Sequence, residues 1–352
     1  MLGFKRIRLV LVMIIGLIFG GFILSESDAQ AATNNVGYSV AAKLPSNQIN
    51  KQNSFFDLRM NSDKTQTLQV RVYNVTNEDI KIQTAIHTAW TNSGGSIEYV
   101  TPAKSFDPSL RYKMSDISKI QGKKTFTIPA RGSRIVTATV KIPKTNFKGV
   151  ILGGWYFKRL DSKVTGTVKG SGNMTSQYSY VIGMKYSLGS APNPEMSLGK
   201  VGAGLSNYHR AIIANVRNTS AVIIPKLKMH TKIINRDGGK TMVDAKQENI
   251  QMAPNTTFSY PMLREKNKLE AGHYHLHMLI RNTDHEWEFD RNFTITQAQA
   301  DKYNKDSVDD SGISIWLLVA LGALGMLILV LLILLIIYLI RRKRRKDDEE
   351  EE

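Results

Sequence analysis

Hydrophobic and polar residues alternate with a period of two through most of the chain. In residues 66–74, Leu68, Val70 and Val72 face one way while Gln69, Arg71 and Tyr73 face the other. Ile80, Ile82 and Ile86 alternate with Lys81, Gln83 and His87, and Val136, Ala138, Val140 and Ile142 alternate with Thr137, Thr139 and Lys141. In the second half, Leu227, Met229 and Ile233 alternate with Lys226, Lys228, His230 and Lys232. This pattern, broken by short turn clusters, predicts half-buried antiparallel strands. Sustained helical periodicity is missing, apart from a possible turn at residues 115–119. The expected fold class is therefore all-β, as two immunoglobulin-like sandwiches.

The two ends depart from this pattern. Lys5, Arg6 and Arg8 precede an uncharged apolar run over residues 9–24, and Ala29-Gln30-Ala31 follows. That order predicts a secretory signal peptide over residues 1–31. Residues 313–340 carry no charge, are bracketed by Trp316 and Tyr338, and end on six basic residues, Arg341 to Lys346. Length, interfacial aromatics and the basic stop predict one transmembrane helix, with residues 341–352 as a cytoplasmic tail and the rest outside.

Between the ends, Gly189-Ser190-Ala191-Pro192-Asn193-Pro194 reads as a linker (residues 189–194). It separates a first sandwich within residues 32–188 from a second over 195–297, with 298–312 as a polar stalk. The Gly/Ser/Thr-rich stretch 161–176 reads as a long hairpin tip. The halves share landmarks in order. Asn74-Val75-Thr76-Asn77 matches Asn215-Val216-Arg217-Asn218, Pro129-Ala130 matches Pro254-Asn255, and Phe147-Lys148-Gly149 matches Ala271-Gly272.

Composition narrows the setting. The chain has 352 residues, a formal net charge of +17 and no cysteine. An exported region without disulfides points to a Gram-positive exterior rather than a eukaryotic ectodomain. A basic exported surface favours polyanions such as anionic wall polymers or lipid headgroups, with nucleic acid excluded outside the membrane. H-E-x-x-H, G-x-S-x-G, P-loop and cysteine-nucleophile motifs are all absent from the sequence. A binding protein without cofactor or catalytic residues is expected.

Four aromatic residues stand out. Gly153-Gly154 inside an apolar strand marks a bulge or a close backbone approach. It either exposes Trp155 and Tyr156 to a glycan or packs Trp155 and Phe157 inward. Trp90 and Tyr99 flank the turn Asn92-Ser93-Gly94-Gly95 and are either a sugar-stacking platform or packing. On the second half, Lys226, Lys228, His230 and Lys232 share one strand face. They read as a docking face for a partner or as the lysines of a protected edge strand. His273, His275 and His277 share another face. Their spacing along the strand is wide for one tetrahedral ion and no acidic residue is interleaved, so the stripe reads as partner-facing or solvent-facing, not as a metal site.

The chain resembles the WxL-interacting protein family of Gram-positive bacteria. The residues that carry the resemblance are 37–40, 73–77, 128–130, 149–157, 215–218 and 269–279, followed by the apolar span and basic tail. The resemblance implies a first domain that binds peptidoglycan, for which Trp90, Tyr99, Trp155 and Tyr156 are the candidates. It implies a second domain that binds WxL-domain surface proteins, with Lys226, Lys228, His230 and Lys232 as candidates. The expected function is a non-enzymatic adaptor tethering such proteins to the envelope; the alternative is an adhesin for host ligands.

Overall fold

The computed structural model describes residues 36–160, 178–264, 267–310 and 315–349. The leader at 1–31 and the hairpin tip at 161–176 lie outside these residues. Among the described residues the architecture is two β-sandwiches, a small hairpin, and three helices.

In the first sandwich one sheet has the order β1 (Tyr38–Lys43), β3 (Thr65–Asn74), β9 (Ser133–Lys141) and β7 (Ser118–Ile120). The other has β2 (Phe56–Arg59), β11 (Ser179–Leu188), β10 (Gly149–Arg159), β4 (Ile80–Thr88) and β8 (Thr125–Ile128). All pairings are antiparallel except β2 with β11. Leu68, Val70 and Val72 of β3 and Ile80 and Ile82 of β4 are buried as the alternation requires, and they meet Trp155, Phe157 and Tyr186 in one core. A one-turn helix, α1 (Met114–Ile117), plugs that core with Met114 and Ile117.

The second sandwich packs β12 (Met196–Ser206), β13 (His209–Asn218) and β16 (Thr256–Leu263) against a four-stranded sheet. That sheet runs β15 (Thr241–Met252), β14 (Ile224–Asn235), β17 (Gly272–Arg281) and β18 (Glu286–Ile295). Leu227, Met229 and Ile233 of β14 and Tyr274, Leu276, Met278 and Ile280 of β17 supply its core. Because β14 lies between β15 and β17, it is an interior strand. The edge-strand reading of its lysines therefore fails; the edge strands of this sheet are β15 and β18.

The shared landmarks have a common physical cause. Asn74 ends β3 buried, and its amide donates to the carbonyls of Glu78, Ile128 and Pro129 at 2.8, 3.1 and 2.9 Å. Its Oδ1 accepts from Thr76 N and Oγ1. The counterpart in the second half is Asn218 and not Asn215, which corrects the match read from the sequence by three residues. Asn218 ends β13, donates to the Val222 and Ala253 carbonyls at 2.7 and 2.8 Å and accepts from Ser220 N and Oγ, whereas Asn215 lies inside the strand. A buried amide with every donor engaged fixes the two connections that converge on it. Each half therefore keeps an asparagine at a strand end and a proline turn beside it.

The described part of the expected stalk, 298–310, is largely helical and packed on the second sandwich. Residues Gln297–Asp306 form α2, capped by a reciprocal box in which Thr296 accepts from Gln299 N and Gln299 accepts from Thr296 N. Ala300 is buried in the second core, Tyr303 packs against it, and Asn304 exchanges hydrogen bonds with the Leu269 backbone at 2.8 and 2.9 Å. Beyond it, α3 (Ile315–Glu349) includes an apolar stretch, Leu317–Arg341, of 25 residues. Its side chains over 317–341 are exposed. That length is enough to cross a bilayer.

Candidate binding surfaces

In the first sandwich the four aromatic candidates separate. Trp155 is fully buried, stacks on Phe157 at 5.7 Å and donates its indole N–H to Thr84 Oγ1 at 2.9 Å. It is a core residue and cannot stack on a sugar, which corrects its reading as a ligand contact. The reason lies in the glycine pair. A Cβ on Gly153 would stand 2.4 Å from both the His87 carbonyl and Met114 Cγ, so a flat glycine lets β10 close on β4 with the indole turned inward. A Cβ on Gly154 would lie 2.6 Å from Val181 Cγ1 and 3.0 Å from Tyr99 Cβ, so the second glycine makes room for both side chains.

Tyr156 points to the opposite face, half-buried, and stacks on His87 at 5.4 Å and 26°. His87 Nδ1 in turn lies 3.1 Å from the Tyr99 carbonyl oxygen. Tyr99, His87 and Tyr156 thus gather around Gly154. Burial raises the Tyr99 phenol above its usual pKa; it also raises that of Tyr156, against a hydrogen bond with Ser179. His87 was not among the sequence candidates. Its pairing with Gly154 across β4 and β10 is a matter of register.

The turn between Trp90 and Tyr99 has another role. It forms a small hairpin, β5 (Trp90–Thr91) with β6 (Ile97–Glu98), that docks on β15. Gln251 N donates to Gly95 O at 2.7 Å and Gln247 Nε2 to Gly94 O at 3.2 Å. Thr91 Oγ1 lies 2.8 Å from Thr256 Oγ1 and accepts from Ala253 N at 3.0 Å. Trp90, whose indole donates to Thr101 O at 2.7 Å, braces the same excursion. Tyr99, Leu152, Ala89, Ala253 and Ile223 fill the gap between the sandwiches. Gly149 adopts φ +123° where its chain meets Ala221 of the second sandwich, and Val150 N donates to Ala221 O at 2.7 Å. Tyr99 therefore belongs to an inter-domain seam and not to an open platform, whereas Trp90 is half-buried and bonds Thr101 within its own domain.

A buried ion pair fastens that seam. The Asp107 carboxylate has no side-chain exposure and accepts two bonds from Arg217, both 2.7 Å, and one from Thr257 Oγ1 at 2.6 Å. Ser109 N and Oγ also donate to it, at 2.9 and 2.8 Å. Burial alone would raise this carboxyl, yet the bonds from Arg217, Thr257 and Ser109 outweigh it and hold the group well below the usual carboxylate range.

On the second sandwich, Lys228, His230 and Lys232 do share the exposed face of β14. Lys226 lies in a bulge with φ +54°, which takes it out of the regular ladder. The face is less cationic than its sequence. Strand β15 brings Asp244 within 2.8 Å of His230 and Glu248 within 3.5 Å of Lys228. On the other side, β18 brings Glu288, Asp290 and Asn292 opposite the histidine stripe. Acidic residues absent from β17 itself are supplied by its neighbour.

A second ionic cluster lies at the other end of this sandwich. Arg210 is buried, with Nη1 2.8 Å and Nη2 3.1 Å from Asp310 and Nε 3.2 Å from Asp309. His209 Nδ1 is 2.6 Å from Asp309 Oδ1. The clasp ties the β12–β13 hairpin to the residues just before α3. From Asp310 to Leu317 the chain reaches at most about 25 Å, so the second sandwich stays close to the apolar helix.

These features define an all-β protein of two sandwiches joined through a seam of apolar packing and polar bonds. Sequence comparison names the family. The profile described as "WxL Interacting Protein, peptidoglycan binding domain" matches residues 38–159, and "WxL Interacting Protein, host binding domain" matches 169–305. The chain belongs to the WxL Interacting Protein family, whose two domains make it a cell-surface binding protein. The second description names host binding where the resemblance in the sequence implied WxL-protein binding. Its match begins ahead of β11, which by pairing completes the first sandwich. No curated protein matches the chain. Solved structures similar to it include the YadV chaperone, with 10% identity over 73% of this chain and 100% of that one and a TM-score of 0.28. The CsuC–CsuE chaperone–adhesion subunit complex of Acinetobacter baumannii gives 9%, 67%, 92% and 0.30. The Salmonella enterica SafA pilin–SafB chaperone complex gives 9%, 72%, 95% and 0.27. Likeness at this level says nothing of partners.

Proposed function

We propose that the protein is a single-span surface adaptor that holds WxL-domain proteins at the peptidoglycan layer. The carrying observation is the pair of adjoining family segments, one for peptidoglycan, on sandwiches locked together through Asp107–Arg217. The leader, the apolar helix and the basic residues after it support an ectodomain outside and a cytoplasmic tail. The Arg210 clasp then keeps the second sandwich near the membrane, and the first reaches outward to the wall. Tyr156 and His87 are the aromatic pair left to meet a glycan. Lys228, His230 and Lys232 form the second sandwich's docking face, and a partner strand would add at β18. Two weak attachments on one body act as an avid one because the second binds at high effective concentration.

Retention on purified sacculi tests the first half, and capture of a cognate WxL-domain protein tests the second. Loss of sacculus retention on Tyr156→Ala with the fold intact is expected; capture that fails with every WxL protein of the same cell would overturn the adaptor reading. The family description of the second segment favours a second reading, an adhesin for host ligands, in which immobilised host matrix proteins replace the WxL protein as the captured species.

A further inference from the structure

The exposed face of β17 and β18 carries a group of side chains that the proposed attachments do not use. His277 and Asp290 are direct cross-strand partners, and Glu288 lies one position along on the same face. His277 Nδ1 is 3.2 Å from Asp290 Oδ1 and 3.7 Å from Glu288 Oε1, and the three donor atoms all lie within 4.8 Å of one another. His275 turns toward the same carboxylate, with Nε2 2.9 Å from Asp290 Oδ1, while its Nδ1 sits 2.8 Å from Asn292 Oδ1.

We propose that His277, Asp290 and Glu288 form a binding site for a divalent transition-metal ion of the zinc class, with His275 closing on it. A tetrahedral Zn2+ bound through imidazole and carboxylate at about 2.0–2.2 Å places its ligand atoms about 3.3 Å from each other. The two distances from His277 fall on either side of that value. The wide spacing of histidines along one strand is no obstacle here, because the neighbouring strand completes the set. The donor types select the metal. Imidazole with carboxylate suits Zn2+ and its transition-metal neighbours, whereas Ca2+ and Mg2+ take oxygen ligands alone.

Surrounding groups favour the arrangement. Asn292 anchors the far nitrogen of His275, which fixes the ring and aims Nε2 at Asp290, as supporting residues do around metal-ligating histidines. His273 reaches Thr294 at 3.1 Å and stands outside the set. Until His275 closes, three protein ligands on an open sheet leave one tetrahedral position for water or for a donor from a docked protein. The site stands on its own geometry and does not depend on the adaptor reading.

The test is calorimetric titration of ZnCl2 into the full-length chain, purified in detergent without a polyhistidine tag and stripped with chelator. One Zn2+ per chain is expected, with a dissociation constant in the micromolar range and a rise in Tm. His277→Gln and Asp290→Asn should each weaken binding tenfold or more with circular dichroism unchanged, since both positions face solvent. His230→Gln, on the same sheet but outside the set, should leave it as it is. CaCl2 at equal concentration should give no comparable heat. Absence of Zn2+ binding, an affinity within twofold of the parent in His277→Gln, or an equal loss in His230→Gln would overturn the proposal and leave two histidine–carboxylate ion pairs only.

Discussion

Asp107→Ala should separate the two sandwiches while leaving each folded. The carboxylate is fully buried and accepts five hydrogen bonds, two from Arg217, one from Thr257 and two from Ser109. Removing one member of a buried pair typically costs about 3–5 kcal/mol, because the other charge stays behind unpaired. Arg217 keeps 31% side-chain exposure, so water recovers part of its solvation. The lower end, about 3 kcal/mol, is therefore expected, which is on the order of a hundredfold in the equilibrium for opening the seam. Hydrogen exchange reads this directly. The amides of Ala253 and Gln251, which bond Thr91 and Gly95 across the seam, should lose protection, whereas those of the Leu68–Val72 ladder should not. Limited proteolysis should then cut more readily within residues 189–194. The sign with pH follows from the same group. Its folded pKa is depressed, so its stabilising effect is present above about pH 4 and is lost only as pH falls through the lower folded value. The parent seam should stay protected at pH 4, and the variant should be less protected at every pH. Unchanged protection of Ala253 and Gln251 in Asp107→Ala would refute the reasoning, since the contact would then contribute nothing.

Other expectations follow from the same geometry. Trp155→Ala should destabilise the first sandwich by about 3–5 kcal/mol, as for large aromatic truncations in cores, in denaturant titration. Tyr156→Ala should leave stability nearly unchanged and reduce retention on sacculi. Replacing Lys226, Lys228 and Lys232 together with Gln should slow association with a captured protein and flatten its salt dependence, measured by surface plasmon resonance at low and high salt. The effect should be modest, because Glu248 and Asp244 already offset part of that face. Protease applied to intact protoplasts should digest the ectodomain and spare a C-terminal tag; loss of the tag would reverse the expected topology.

Much of this was legible in the residues themselves. Side-chain alternation is a local property of extended backbone, so the buried faces of β3, β4, β9 and β14 could be read off their own segments. The apolar run that becomes α3 is equally local, as is the order of the asparagine and proline landmarks. The capping box at Thr296–Gln299 was also present in the sequence and would have turned the supposed stalk into α2. What no single segment contains is the identity of its neighbours. Whether Trp155 faces glycan or core depended on how closely β4 and α1 approach Gly153. Whether the Asn92–Gly95 turn is a platform or a dock depended on β15, more than a hundred residues away. Whether the histidines of β17 meet acid depended on the register of β18, which sets Asp290 against His277 and not against the residue beside it. Sequence determines which side of a strand a residue takes, because that is set within two residues. Only the folded pairing of distant strands decides what stands opposite it, because that contact is made across chain that local pattern does not encode.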